Sequence, residues 1–142
     1  MLKGSKINLR LVKERDLDAL LDLFHNLENR GEYYPIFLPA EPKFKRQFSE
    51  NGFWDEWDSK LLIVDKSDKI LGSIFFYRSI AYFDAFEIGY ILFDQASRNQ
   101  GVMTEALSML VRFLFETEKK NRLQLTVMVG NIASKRVAEK CG

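Results

Sequence analysis

The stretch that most constrains this chain runs from residue 85 to residue 117. It opens on a two-residue alternation over 85–93: Phe86, Ile88, Tyr90 and Leu92 fall on one face of a strand, Glu87, Gly89 and Ile91 on the other. A polar loop follows, Asp94-Gln95-Ala96-Ser97-Arg98-Asn99-Gln100. Gly101 then opens a helix to about Thr117, with Met103, Ala106, Leu107, Leu110, Phe113 and Leu114 as its inner stripe. Residues 123–128 alternate as a strand, Gly130-Asn131 is a turn, and Ile132–Lys140 reads as a helix with Ala133, Val137 and Cys141 inward. A β-α-β-α unit of this kind implies parallel pairing and a right-handed crossover.

Upstream the pattern changes. Residues 7–12 alternate as a strand, Asp16 is placed to cap, and Leu17, Leu20, Leu21, Phe24 and Leu27 recur at helical spacing. In 31–59 aromatic residues are scattered among Pro35, Pro39 and Pro42, which prevent one continuous helix. Residues 43–50 and 53–57 fit short helices. The aromatics suit a satellite core, or in part the lining of an acceptor pocket. Residues 61–64 and 70–77 read as strands joined by the polar turn 65–69, hence an antiparallel hairpin. The expected class is α/β (α+β): a mixed, mostly antiparallel central sheet with helices on both faces.

Composition excludes several functions. The 142 residues fit one domain, and a 46% hydrophobic fraction is enough for a core. With 21 basic and 20 acidic residues the chain lacks the basic excess of a nucleic-acid binder. One cysteine and one histidine provide neither a disulfide nor a Cys/His zinc site. His25 reads as a surface or helix-end residue, and Cys141 as a small apolar filler. The first residues lack the apolar stretch of a signal peptide, and no apolar run approaches a membrane span. The expected location is the cytoplasm, away from membranes.

The loop before the long helix is suited to an anion. A helix start presents unpaired N–H groups and a partial positive charge. Gly101 permits close approach, and Arg98 with the neighbouring amides adds donors. Taken alone, the loop is equally compatible with an ordinary turn glycine and a solvated arginine. It matches neither G-x-x-x-x-G-K-[ST], nor does any G-x-G-x-x-G occur, which disfavours a P-loop kinase and a Rossmann dehydrogenase.

In their order and spacing, Glu87-Ile88-Gly89-Tyr90-Ile91-Leu92, Arg98-Asn99-Gln100-Gly101-Val102-Met103-Thr104-Glu105-Ala106, Asn131-Ile132-Ala133-Ser134 and Glu139-Lys140-Cys141-Gly142 resemble the GNAT superfamily of acyl-CoA-dependent N-acetyltransferases. The similarity is greatest to the subgroup that acetylates ribosomal-protein N-termini. Arg98, Gly101 and Met103 occupy the defined positions of the family's [Q/R]-x-x-G-x-[G/A] motif, with Met103 in place of the small residue. The resemblance implies acetyl-CoA as cosubstrate, its pyrophosphate on Arg98, Asn99, Gln100, Gly101, Val102, Met103 and Thr104. Ile91, Leu92 and Phe93 would pair their backbone with the pantetheine arm between splayed strands. Asn131 would hydrogen-bond that arm, and Ser134 would lie near the sulfur.

The same resemblance implies an amine acceptor attacking directly in a ternary complex, with Glu87 as general base and a backbone N–H near Ile91 or Leu92 holding the oxyanion. The tyrosine that many relatives place late in the last helix falls on Ala138 here, so Ser134 is the nearest donor for the thiolate. The family pattern continues past Gly142 with two more strands. Their absence leaves an open sheet edge, where a homodimer is expected. Two other readings stay open at this stage: a non-catalytic acyl-CoA-binding module, and a structural domain that reuses the fold.

Overall fold

The computed structural model describes residues 1–33, 38–78, 85–117 and 122–142. Of the aromatic segment, Tyr34, Pro35 and Phe37 fall outside the described residues.

Among the described residues six strands lie in sequence order: β1 (Leu2–Lys3), β2 (Asn8–Leu11), β3 (Asp58–Val64), β4 (Ile70–Arg78), β5 (Ala85–Leu92) and β6 (Arg122–Gln124). The first five pair antiparallel, and β5 pairs parallel with β6. The parallel pair is connected through α3 (Val102–Thr117), as the β-α-β reading requires. Helices α1 (Leu17–His25) and α2 (Glu41–Asn51) cover one face, α3 and α4 (Ile132–Lys140) the other. The expected mixed, mostly antiparallel sheet between helices is therefore the fold.

The alternation of β5 separates two cores. Phe86 and Ile88 pack with Ala106, Leu107, Leu110 and Leu114 of α3, while Ile91 and the following Phe93 pack with Leu20, Leu21 and Phe24 of α1 and Phe44 of α2. Leu107, Leu110 and Leu114 are fully buried, each stabilising the fold by about 2 kcal/mol. The satellite-core reading of the aromatic segment holds for Phe44, Phe48 and Phe53. Phe53 lies 4.8 Å from Phe44 and 5.6 Å from Phe48, and Phe24 meets Phe93 edge-on at 5.2 Å. The Lys60 ammonium sits over the Phe24, Phe44 and Phe53 rings, and burial pushes its pKa down.

Three local expectations are corrected. Residues 53–57 are not a helix: Gly52 and Phe53 both take positive φ (64° and 57°), which ends α2, and the Asp55 carboxylate then accepts the N–H groups of Trp57 and Asp58 in a turn. The strand expected over 123–128 pairs only at Arg122, Leu123 and Gln124, because the following residues diverge from β5. Ala133 is exposed; only Val137 and Cys141 of the expected inner stripe of α4 pack on the core. The short β1 lacks an alternation long enough to be seen in sequence.

The loop after β2 is held by a buried ion pair. Arg10 donates to Asp16 at 2.7 and 3.0 Å and to Asp68 at 2.6 and 3.3 Å. Burial raises the Asp16 pKa, but the hydrogen bonds from Arg10 and the Lys13 N–H outweigh it and hold the carboxyl below its usual range. A depressed folded-state value stabilises the fold above the unfolded value of about 3.9, and that contribution is lost as pH falls through the folded value. Asp16→Ala leaves the buried Arg10 guanidinium with the half-exposed Asp68 in place of two carboxylate partners. It is expected to cost about 3 kcal/mol in urea unfolding at neutral pH, and less in acid.

Candidate active site

The loop after β5 is built to release a helix start. Asp94 accepts the Ala96 N–H at 3.2 Å and the Ser97 hydroxyl at 2.9 Å, which closes a turn over Gln95–Ser97. Asn99 and Gly101 then take positive φ, 60° and 78°. The first bond of α3 runs from Glu105 N to Gly101 O at 3.0 Å, so the N–H groups of Val102, Met103 and Thr104 have no acceptor within the helix. Met103 replaces the motif's small residue at little cost, since its side chain is buried in the core and its N–H remains at the helix start.

A carboxylate in this first turn would repel an anion, but Glu105 is turned to the N-terminal segment. It accepts the Ser5 N–H, the Ser5 hydroxyl at 2.9 Å and the Lys6 N–H at 3.1 Å. Burial pushes its pKa up, yet these bonds prevail and lower it. The same segment brings Lys6 to the loop, where its ammonium donates to Gln100 O at 2.8 Å beside Gly101. Lys6 and Lys69 share a cleft of about 790 Å³ with Asn99, Gln100 and Gly101. Sequence reasoning missed Lys6 because 94 residues separate it from its partner.

Two other loop side chains are bonded to backbone carbonyls. Arg98 donates to Asn29 O at 2.8 Å, and Gln100 to Ala96 O at 2.7 Å. Neither amide nor guanidinium is held at the helix start, so the donors there are backbone N–H groups.

The parallel ladder ends at Glu87–Gln124, whereas β5 continues to Leu92. The sheet is therefore parted between β5 and the segment after β6. Phe93 N donates to Leu71 O at 2.8 Å, and the Ile91 carbonyl lies against Gly72 of β4. Peptide groups alternate along a strand, so those of Tyr90 and Leu92 face the gap while Ile91 and Phe93 direct theirs to β4. Of the three residues expected to pair with the arm, Leu92 is turned to it.

Glu87 stands on the α1 and α2 face where the sheet parts. Tyr77, its partner across the β4–β5 ladder, is hydrogen-bonded to the Glu87 carboxylate, and Gln124 donates to it at 3.3 Å. Burial first, then the bond to Glu87, raises the Tyr77 pKa, so the phenol remains a donor. Gly89 leaves space for the Phe75 ring, with which a Cβ there would collide.

On the opposite face, α4 begins at the gap. Asn131 accepts the Ser134 N–H at 3.1 Å and so caps the helix. The Tyr90 and Ser134 hydroxyls are 2.6 Å apart, and the Tyr90 hydroxyl lies 3.3 Å from the Ser134 carbonyl oxygen. The Tyr90 pKa is raised, by burial above all. The alternation places Tyr90 on one face of β5 with Phe86, Ile88 and Leu92, and its hydroxyl is the polar tip that meets Ser134 there. Cys141 packs between helices, against Thr104 O at 3.4 Å and Ser108 Oγ at 3.2 Å, consistent with a filler. His25 ends α1 with Nε2 2.7 Å from Pro39 O. Among the described residues no group of His, Cys, Asp and Glu could hold a metal, and no helix is long and apolar enough to cross a membrane.

The start of α3 thus offers free N–H groups to an anion where the sheet parts between β5 and the segment after β6. The family model of the acetyltransferase (GNAT) domain matches residues 6–142, and the chain belongs to that family. It is an acetyltransferase, and acetyl-CoA is the family's cosubstrate. The chain is 31% identical to the probable N-acetyltransferase YjcK of Bacillus subtilis, across 100% of this chain and 82% of that protein. It is 30% identical to the ribosomal-protein-serine acetyltransferase of Escherichia coli over 77% of this chain and 61% of that protein. The fold matches the spermidine N-acetyltransferase of Vibrio cholerae in complex with CoA and spermine, with a TM-score of 0.80 at 16% identity, covering 98% of this chain and 81% of that one. It also matches a GNAT-family acetyltransferase from Bacillus anthracis, with a TM-score of 0.79 at 20% identity, over 99% and 81% of the two chains.

Proposed function

We propose that this chain acetylates a primary amine, at a protein N-terminus or on a small amine, by direct attack on acetyl-CoA. The observation that carries this reading is the start of α3, whose Val102, Met103 and Thr104 N–H groups await an anion beside the parting of β5 and β6. The pyrophosphate rests on those groups, with Lys6 adding charge. The pantetheine arm enters the gap, along the peptide groups of Tyr90 and Leu92, as a short added strand.

Glu87 takes the proton of the attacking amine, directly or through one water. Nitrogen bonds to the carbonyl carbon, the carbon–sulfur bond breaks, and the departing thiolate accepts a hydrogen bond from Ser134 before taking its proton from water. The Leu92 N–H is placed for the oxyanion. The acceptor class follows the relatives, one named for ribosomal-protein serine and one for spermidine. Thiol release from acetyl-CoA against a panel of amines, with peptides and polyamines as separate arms, tests the reading. Release with none of them would remove it. Self-association through the outer side of β6, which pairs with no strand among the described residues, belongs to the same proposal and is read by sedimentation.

A further inference from the structure

We infer that Tyr90 is a positioning residue for acetyl transfer: its phenol donates to Ser134 Oγ and thereby frees the serine's own hydrogen for the thioester sulfur. The inference rests on the proposed placement of the sulfur near Ser134.

Acidity favours one direction of donation. The hydroxyl oxygens are 2.6 Å apart, and either could donate. Each hydroxyl has one hydrogen, and the phenol is the more acidic and so the better donor, which favours a bond running from Tyr90 to Ser134. Burial raises the Tyr90 pKa above that of a free phenol, which favours the protonated, donating form. The weaker alternative, donation to the Ser134 carbonyl, is 3.3 Å long.

The pairing also takes Ser134 out of its usual habit. A serine in a helix tends to bond back to the carbonyl of the preceding turn, which would consume its hydrogen. Here its side chain is bonded to Tyr90, while its N–H is fixed by Asn131. Both ends of the pair are anchored. Tyr90 sits on β5 with its ring against the α3 core, and Ser134 lies in the first turn of α4. Tyr90 also faces the gap with its own peptide group, so the strand that receives the arm sets the hydroxyl that meets its end. Without the phenol, Ser134 relaxes onto its local backbone, and Tyr90→Phe should behave like Ser134→Ala.

The test needs no acceptor. Affinities for CoA and for desulfo-CoA are measured by calorimetry from about pH 7 to about pH 10, spanning thiol ionisation. A donor aimed at the sulfur favours the thiolate, so the preference for CoA over desulfo-CoA should rise on the order of tenfold across this range in the unmodified protein. Tyr90→Phe and Ser134→Ala should each flatten the rise, and the double variant should match either single one, with desulfo-CoA affinity unchanged within about twofold. A purely structural Tyr90 would weaken both ligands together. A flat ratio in the unmodified protein, or an undiminished rise in Tyr90→Phe, overturns the inference and leaves cofactor binding standing. Failure of both ligands to bind removes the proposed function and this inference with it.

Discussion

Gly101→Val is expected to weaken acetyl-CoA binding on the order of 100-fold while leaving the protein folded. Two effects add. Gly101 has φ 78°, and a β-branched residue there is strained by about 1–2 kcal/mol, which either appears as lost stability or drives the turn to another conformation. If the turn moves, the Val102, Met103 and Thr104 N–H groups no longer converge. Each charge-assisted bond they lose to a phosphate is worth about 1.5–3 kcal/mol, and one to two such bonds account for the expected loss. A Cβ at this position meets only the Lys6 ammonium, at 3.5 Å, so the core is not overpacked. Calorimetric titration with acetyl-CoA, paired with urea unfolding, separates the two effects. Gly101→Ala should give the same pattern at smaller amplitude.

Glu87→Gln is expected to lower kcat about 100-fold with KM for acetyl-CoA nearly unchanged, since general-base catalysis contributes about 10²–10⁴-fold and Glu87 touches no part of the anion site. Glutamine preserves the acceptor for Tyr77 and the contact with Gln124, so the β4–β5–β6 register stays intact. The acid limb of the kcat–pH profile should disappear with the carboxylate. A variant that keeps both the rate and the limb would show that Glu87 only orients the acceptor.

The fold was legible in the sequence because its two faces follow different periods. The alternation of Phe86, Ile88 and Tyr90 against Glu87 and Ile91 places each residue correctly, and the α3 stripe is buried as its spacing requires except at Phe113, which is half-buried. What local pattern could not show was set by backbone geometry or by distant partners. Positive φ at Phe53 turns a helix-like segment into a turn. Residues 125–128 alternate like a strand yet lack a partner, because the sheet parts after Gln124. In the site, Gly101 and the helix start were readable from the strand–loop–helix order. The bond from Arg98 to Asn29 O spans 69 residues and has no local signal. Lys6 meets Gln100 and Tyr90 meets Ser134 across 94 and 44 residues, which no spacing rule reaches.

The central claim, that acetyl-CoA binds with its pyrophosphate on the start of α3 and its arm along β5, is tested most directly by amide resonances during an acetyl-CoA titration. The account expects the largest shifts at Val102, Met103 and Thr104, a second set at Tyr90 and Leu92, and little change at the β1–β2 edge. Saturable binding that leaves the Val102, Met103 and Thr104 amides unmoved, or no binding at all, would contradict it.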